Sequence, residues 1–224
     1  MNKFLFPVYA VILGVIIAKV SKQKKTWNTK LLLAFSGAFL LALTLFDLLP
    51  EVYEQLATKT TGLLIMCGIL LQIILEFFSK GAEHGHIHLN EKGNRFPWLL
   101  FISLCIHSLL EGFPIHQHND MVYGVLVHKI PIATLLAMYL FQSPFTRIQI
   151  VLFLLVFTAM TPLGTLLSNE IPGMSNYVNH INAVVIGIFF HISTTILFEA
   201  GEGHKFNLSK LVAIVLGVAI AYIF

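Results

Sequence analysis

The sequence predicts an all-α polytopic membrane protein with eight transmembrane helices, and three observations lead there. Mean hydropathy is +0.82 over 224 residues and only 11% of them are charged, far outside the soluble globular range. The apolar residues gather into eight runs, at 4–20, 31–54, 61–78, 97–116, 121–141, 147–168, 177–199 and 207–224. Each is near the roughly 17–25 residues that a helix needs to cross hydrocarbon. No run alternates with period two, so transmembrane strands are not expected.

The first run resembles a signal peptide only superficially. It lacks a small-residue cleavage site and is followed by Lys22, Lys24 and Lys25, the wrong flank for a cleaved leader, so it reads as the first span. The second run carries Asp47 and Glu51 on either side of Pro50. After the third run comes the longest polar stretch, 79–96, where Glu83, His84, His86, His88 and several glycines form a loop able to capture metal weakly. The fourth and fifth runs hold His107, Glu111, His128 and Lys129 in otherwise apolar surroundings. The seventh brings His180 near its start and His191 and Glu199 further on, with Glu202 and His204 just beyond.

No linker is long enough to separate two units, so residues 1–224 are expected to form a single transmembrane domain. Charge sets its orientation. The loops after the first, third, fifth and seventh runs, with their flanks, carry eleven of the fourteen basic residues. Cytoplasmic loops retain Lys and Arg, so both termini are expected outside, in a cell (inner) membrane. Nothing in the charge pattern suggests nucleic acid as a partner. Cys67 and Cys105 both fall inside apolar runs, which argues against a structural disulfide.

Ionisable groups in hydrocarbon are costly and by default mark a pathway or a site. His107 and Glu111, four residues apart, stack on one helical face. Counting about 1.5 Å per residue from the inner boundary puts them near 15 and 21 Å, and counting down from the outer boundary puts His128 at about 20 Å. The three side chains share a depth. Imidazole nitrogen with carboxylate oxygen suits Zn²⁺ and its first-row neighbours rather than Mg²⁺ or Ca²⁺. The other polar residues form a ladder around that level, with Asp47, Glu51 and His180 toward the outer mouth and His191, Glu199 and Glu202 toward the inner.

Asp47, Glu111 and His128 are each followed three residues later by proline: Pro50, Pro114 and Pro131. A proline inside a helix removes the donor for the carbonyl four residues back, so kinks are expected that free the oxygens of Phe46, Leu110 and Val127 beside candidate ligands.

These residues resemble the ZIP (Zrt-, Irt-like protein) family of divalent metal-ion transporters. His107-Ser108-Leu109-Leu110-Glu111-Gly112 is similar to the family's fourth-helix signature, and Val127-His128-Lys129 through Pro131 to its fifth. Leu45-Phe46-Asp47-Leu48-Leu49-Pro50-Glu51 resembles the second-helix signature, Thr161-Pro162-Leu163-Gly164 the sixth, and Gly187-Ile188-Phe189-Phe190-His191 the seventh. The resemblance implies divalent-metal uptake, chiefly of zinc with iron, manganese or cadmium as further candidates, through a central site of His107, Glu111 and His128. It implies no organic cofactor, and it is compatible with a homodimer. Ser108, Lys129 and Ile132 depart from the two-metal pattern and resemble the branch that holds one metal, with Lys129, beside Ser108, as a surrogate for the second. It also implies that one helix bundle slides against another.

The residues alone leave other classes open. An intramembrane zinc-dependent hydrolase would also use a His, His and carboxylate set to hold an activated water, but has no use for acids and histidines at staggered depths. A proton-coupled carrier of an organic solute would use His and Glu as relays, but should show Gly-rich broken helices in two matching places. The expected protein is a transporter and not an enzyme.

Overall fold

A computed structural model describes residues 5–21, 29–79, 96–115, 120–199 and 208–224. Among them are eight helical rods and no strand: α1 Phe6–Ser21, α2 Thr29–Gln55, α3 Thr58–Ser79, α4 Trp98–Leu110, α5 Met121–Gln142, α6 Arg147–Glu170, α7 Val178–Glu199 and α8 Leu208–Ile223. Five of these, α2, α3, α5, α6 and α7, are long and apolar enough to cross a membrane. The remaining three are apolar but shorter, 16 residues in α1 and α8 and 13 in α4. The protein is an all-α polytopic membrane protein, as its sequence predicts. His84, His86, His88 and Glu202 lie outside the described residues, as does the side chain of Glu199.

The outward faces of the rods are apolar. Phe77 is 77% exposed and Phe198 81%, the reverse of a soluble protein and the natural state of a helix solvated by hydrocarbon. Several buried hydroxyls are satisfied within their own helix: Thr44 donates to the Leu40 carbonyl at 2.7 Å and Thr134 to that of Ile130 at 2.8 Å. Where water is available the chain uses an aqueous cap instead, a Thr146–Gln149 capping box that starts α6. Gly173, at φ 83°, makes the turn from α6 toward α7. Cys67 and Cys105 are free thiols.

Small residues decide which rods touch. A Cβ on Gly68 would come 1.9 Å from the Val184 carbonyl oxygen and one on Gly187 2.0 Å from that of Ile65, so α3 and α7 meet backbone to backbone. Gly164 likewise lies against Leu109 and Gly112 against Thr161, joining α6 to α4. Gly14 meets α5 at Ile130 and Ala133, and Gly217 meets α2 at Phe35 and Ala38. The result is two groups of four: α1, α4, α5 and α6 on one side, α2, α3, α7 and α8 on the other, joined mainly where α2 packs on α5 and α3 on α4.

These pairings have a symmetry that the letters do not show. Exchange α1–α3 with α6–α8, and α4 with α5: the α1–α5 contact becomes α6–α4, and α2–α8 becomes α7–α3. Five crossings separate the start of α1 from the start of α6, so the two triplets enter from opposite faces, as in an inverted repeat.

Candidate metal site

Each proline acts on the backbone in a different way. Before Pro50 the helix widens into a π turn over Thr44–Leu48, with the Leu49 N–H bonded five residues back to the Thr44 carbonyl, and Asp47 sits inside that turn. Pro114 does not kink a continuing helix as expected. It stops one, because the residue before proline avoids the α conformation, and α4 therefore ends at Leu110 rather than near residue 116. The Leu110 carbonyl is not freed either, since it accepts the Phe113 N–H at 3.1 Å. Pro131 does lie within a continuous helix and withholds a donor from Val127.

Glu111 is the first residue past the end of α4, yet it keeps helical dihedrals (φ −55°, ψ −24°) and bonds back to His107 at 3.0 Å. The i, i+4 stacking therefore survives, with His107 Nε2 2.8 Å from Glu111 Oε1. His128 and Lys129 are neighbours on α5 and so diverge by about 100° around its axis, which lets them flank the carboxylate. His128 Nε2 is 3.9 Å from Oε1, and Lys129 Nζ donates to Oε2 at 2.7 Å. All four groups are buried, none more than 2% exposed.

The three ligand atoms lie within 4.8 Å of one another. Donors about 2.0–2.2 Å from a tetrahedral metal are roughly 3.4 Å apart, so shifts well under a side-chain rotation would close this set on an ion. The two imidazole rings stand nearly edge to face, 6.4 Å between centroids at 79°. Among the described residues no other three His, Cys, Asp or Glu side chains gather this closely.

Lys129 has its own cradle. Its ammonium donates to Ser108 Oγ at 2.6 Å as well as to Glu111, and lies 4.7 Å from the centre of the Phe157 ring. Ser108 Oγ is 3.0 Å from Thr161 Oγ1, and the Thr161 hydroxyl lies 2.9 Å from the Ser108 carbonyl that can accept its proton. One turn further along, Thr165 donates to the Gly112 carbonyl at 2.8 Å. Thus α6 holds both the cation and the end of α4 in place. In the sequence Thr161 stands out only as part of a motif, and Phe157 not at all; the hydroxyl of one and the ring of the other gain their roles from the packing of α6 on α4.

The sequence profile described as ZIP zinc transporter matches residues 82–224, well over half of the chain. This chain belongs to the ZIP zinc transporter family. Zinc transporter ZIP1 of Danio rerio is 32% identical over 89 residues, 37% of this chain and 30% of the relative, and zinc transporter ZIP1 of Takifugu rubripes is 30% identical over the same length and shares. Protein zntD of Dictyostelium discoideum is 26% identical over 150 residues, 57% of this chain and 22% of the relative. The chain thus spans less than a third of the length of these relatives. ZIP proteins are transporters, and membership of the family leaves the hydrolase alternative without support.

Of the ladder residues, Asp47, Glu51, His180 and His191 lie outside the His107, Glu111 and His128 cluster. Asp47, Glu51 and His180 are partly buried, and α7 packs on both the π turn and the last turns of α2 that carry the two acids. His191, also partly buried, is paired through Nε2 with Glu76 Oε2 on α3 at 2.5 Å. Glu76 was not anticipated from the sequence. The available signal was its position as the sole carboxylate of the third apolar run, the same signal that singled out Glu111.

Proposed function

We propose that this ZIP-family chain carries a divalent metal ion, zinc above all, from the outside or periplasm into the cytoplasm through His107, Glu111 and His128. The observation that supports this most strongly is the convergence of three costly, fully buried ligand atoms within 4.8 Å of one another, from two helices. Solvation by water is given up only where something replaces it, and an imidazole, carboxylate, imidazole set is a replacement for part of a zinc ion's hydration shell.

The chemistry at the site follows from the contacts. His107 shares its Nε2 with Glu111 Oε1 at 2.8 Å. An arriving dication takes the lone pairs of both atoms, so the imidazole proton moves to Nδ1, which has no hydrogen-bond partner among the described residues. Lys129 keeps hold of Oε2, leaving Oε1 for the ion. In this reading Lys129, supported by Ser108, stands where a second cation would otherwise sit, and the centre takes one metal. Two nitrogens and one oxygen leave a position for water, and incomplete coordination favours release.

Both termini would face outside in an inner membrane, as the basic loops indicate. Asp47, Glu51 and His180 form the entrance. His191, Glu199 and Glu202 form the exit together with Glu76, and His84, His86 and His88 capture metal in the cytoplasmic loop. The test is purified protein in liposomes loaded with a fluorescent zinc reporter. Wild type should admit Zn²⁺, and His107→Ala and Glu111→Ala should each abolish the signal. Normal uptake by the double variant His107→Ala, His128→Ala would overturn the site.

A further inference from the structure

One buried polar group in the membrane region belongs neither to the central site nor to the ladder around it. Gln72 on α3 is 0% exposed, and neither its amide nitrogen nor its amide oxygen has a hydrogen-bond partner among the described residues. A buried amide with both ends unpaired is strongly disfavoured, and in a native structure it calls for a reason. Packing does not supply one, since a leucine would fill the volume without the polar cost.

Its neighbours are informative. Gln72 is four residues after Gly68, which meets α7 at Val184 and Gly187, and four before Glu76, which pairs with His191. All three lie on one face of α3. Heights follow from the helix rise, because the end of α3 at Ser79 and the start of α4 at Trp98 share a membrane side. Glu76 lies about 4 Å from that end, Gln72 about 10 Å and His107 about 13 Å. Gln72 therefore stands about 3 Å below His107, about 9 Å below Glu111 and one turn above the Glu76–His191 pair, on a helix that packs against α4.

We infer that Gln72 is a transit ligand, whose amide oxygen receives the dication between the His107, Glu111 and His128 centre and the Glu76–His191 pair. The inference rests on the transport reading and adds a step to it. A neutral carbonyl oxygen is a weak ligand for such an ion, and weakness suits a group that must accept and release in every cycle. Having no partner among the described residues keeps the amide ready. A hydrogen bond would have to be broken each time an ion arrived.

The test compares wild type with Gln72→Leu and with Gln72→Met, which keeps the unbranched shape and length. Each full-length protein is placed in zinc-reporter liposomes with Zn²⁺ alone as probe, and equilibrium zinc binding and melting temperature are measured in detergent. Both variants should bind zinc at the central site as wild type does and melt at the same or a higher temperature, while initial uptake at saturating zinc falls about tenfold or more. Wild-type uptake by either variant overturns the assignment. So does lost uptake accompanied in both variants by a lower melting temperature, which would make Gln72 structural. A wild-type protein that admits no zinc overturns the transport reading itself, and the step built on it goes too.

Discussion

Replacing Lys129 by methionine keeps an unbranched side chain and removes its charge, and the structure sets the size of the consequence. The ammonium is 1% exposed and bonded at 2.6 Å to Ser108 and 2.7 Å to Glu111. Without it the Glu111 carboxylate is left buried with no fixed cation. Breaking a buried ion pair by removing one partner costs about 3–5 kcal/mol. For a chain of this length each kcal/mol moves the melting temperature by about 2–4 °C, so Lys129→Met should melt about 10 °C below wild type in detergent with chelator present. Zinc should then rescue the variant more than it helps wild type, because the ion restores the missing positive charge. Saturation at a thousand times the dissociation constant adds about 4 kcal/mol to any single-site binder. Mass spectrometry of the native protein should count one zinc per protomer in wild type and in the variant, with transport weakened in the variant. Two ions in wild type, or a variant melting within about 2 °C of it, would refute the idea that this ammonium stands in for a metal.

Thr161→Val keeps shape and removes the hydroxyl that pairs with Ser108, so it should lower stability by about 1 kcal/mol while one zinc still binds; a higher melting temperature would show the hydroxyl to be a burden. Gly164→Ala places a Cβ 1.9 Å from the Leu109 carbonyl oxygen and should cost about 1–3 kcal/mol by thermal unfolding, with zinc affinity falling as well because Leu109 belongs to the segment that carries Glu111. Gly62→Ala is its control, with open space around the new methyl and no expected loss. Deleting Lys22, Lys24 and Lys25 should scramble orientation in reporter fusions, and an intact protein with its N-terminus on the cytoplasmic side would refute the assigned topology.

The helices and the grouping of His107, Glu111 and His128 were legible because their signals are local. Runs of about twenty apolar residues have one solution in hydrocarbon, and a charge inside such a run stands out however the rods are arranged. Depth counting placed His107, Glu111 and His128 together because rise per residue is nearly constant. It could not place the Lys129 cradle, since Phe157 and Thr161 are an ordinary aromatic and an ordinary hydroxyl until α6 is known to lie beside α4. The prolines show the same boundary. Their chemistry was correctly read as local disruption, but whether a ring widens, ends or merely weakens a helix depends on the course of the chain beyond it. After Pro50 and Pro131 the helix continues; around Pro114 the chain turns away, and the backbone saves itself with the Phe113 to Leu110 bond.

The division into two groups of rods bears on how an ion would get past the site under the proposed function. The backbone-to-backbone approaches at Gly14, Gly68, Gly112, Gly164, Gly187 and Gly217 all join helices of the same group. Between groups, the glycine that faces across is Gly124 on α5. A methyl there would meet the side chains of Leu40 and Leu43 on α2, at 3.3 and 3.1 Å. Contacts of the first kind fix register, because a carbonyl seated over a glycine cannot advance along the helix without a clash. Leucine side chains can change rotamer and accept a displaced partner. The seam between α5 and α2 is thus the more yielding one. His107, Glu111, His128 and Lys129 all ride on one side of it, while Gln72, Glu76 and His191 lie on the other. A shift along that seam would move the central ligands relative to the lower polar groups without disturbing either set internally. For the proposed transport, that is the geometry that would pass an ion from one to the other and would keep the two ends of the pathway from opening together.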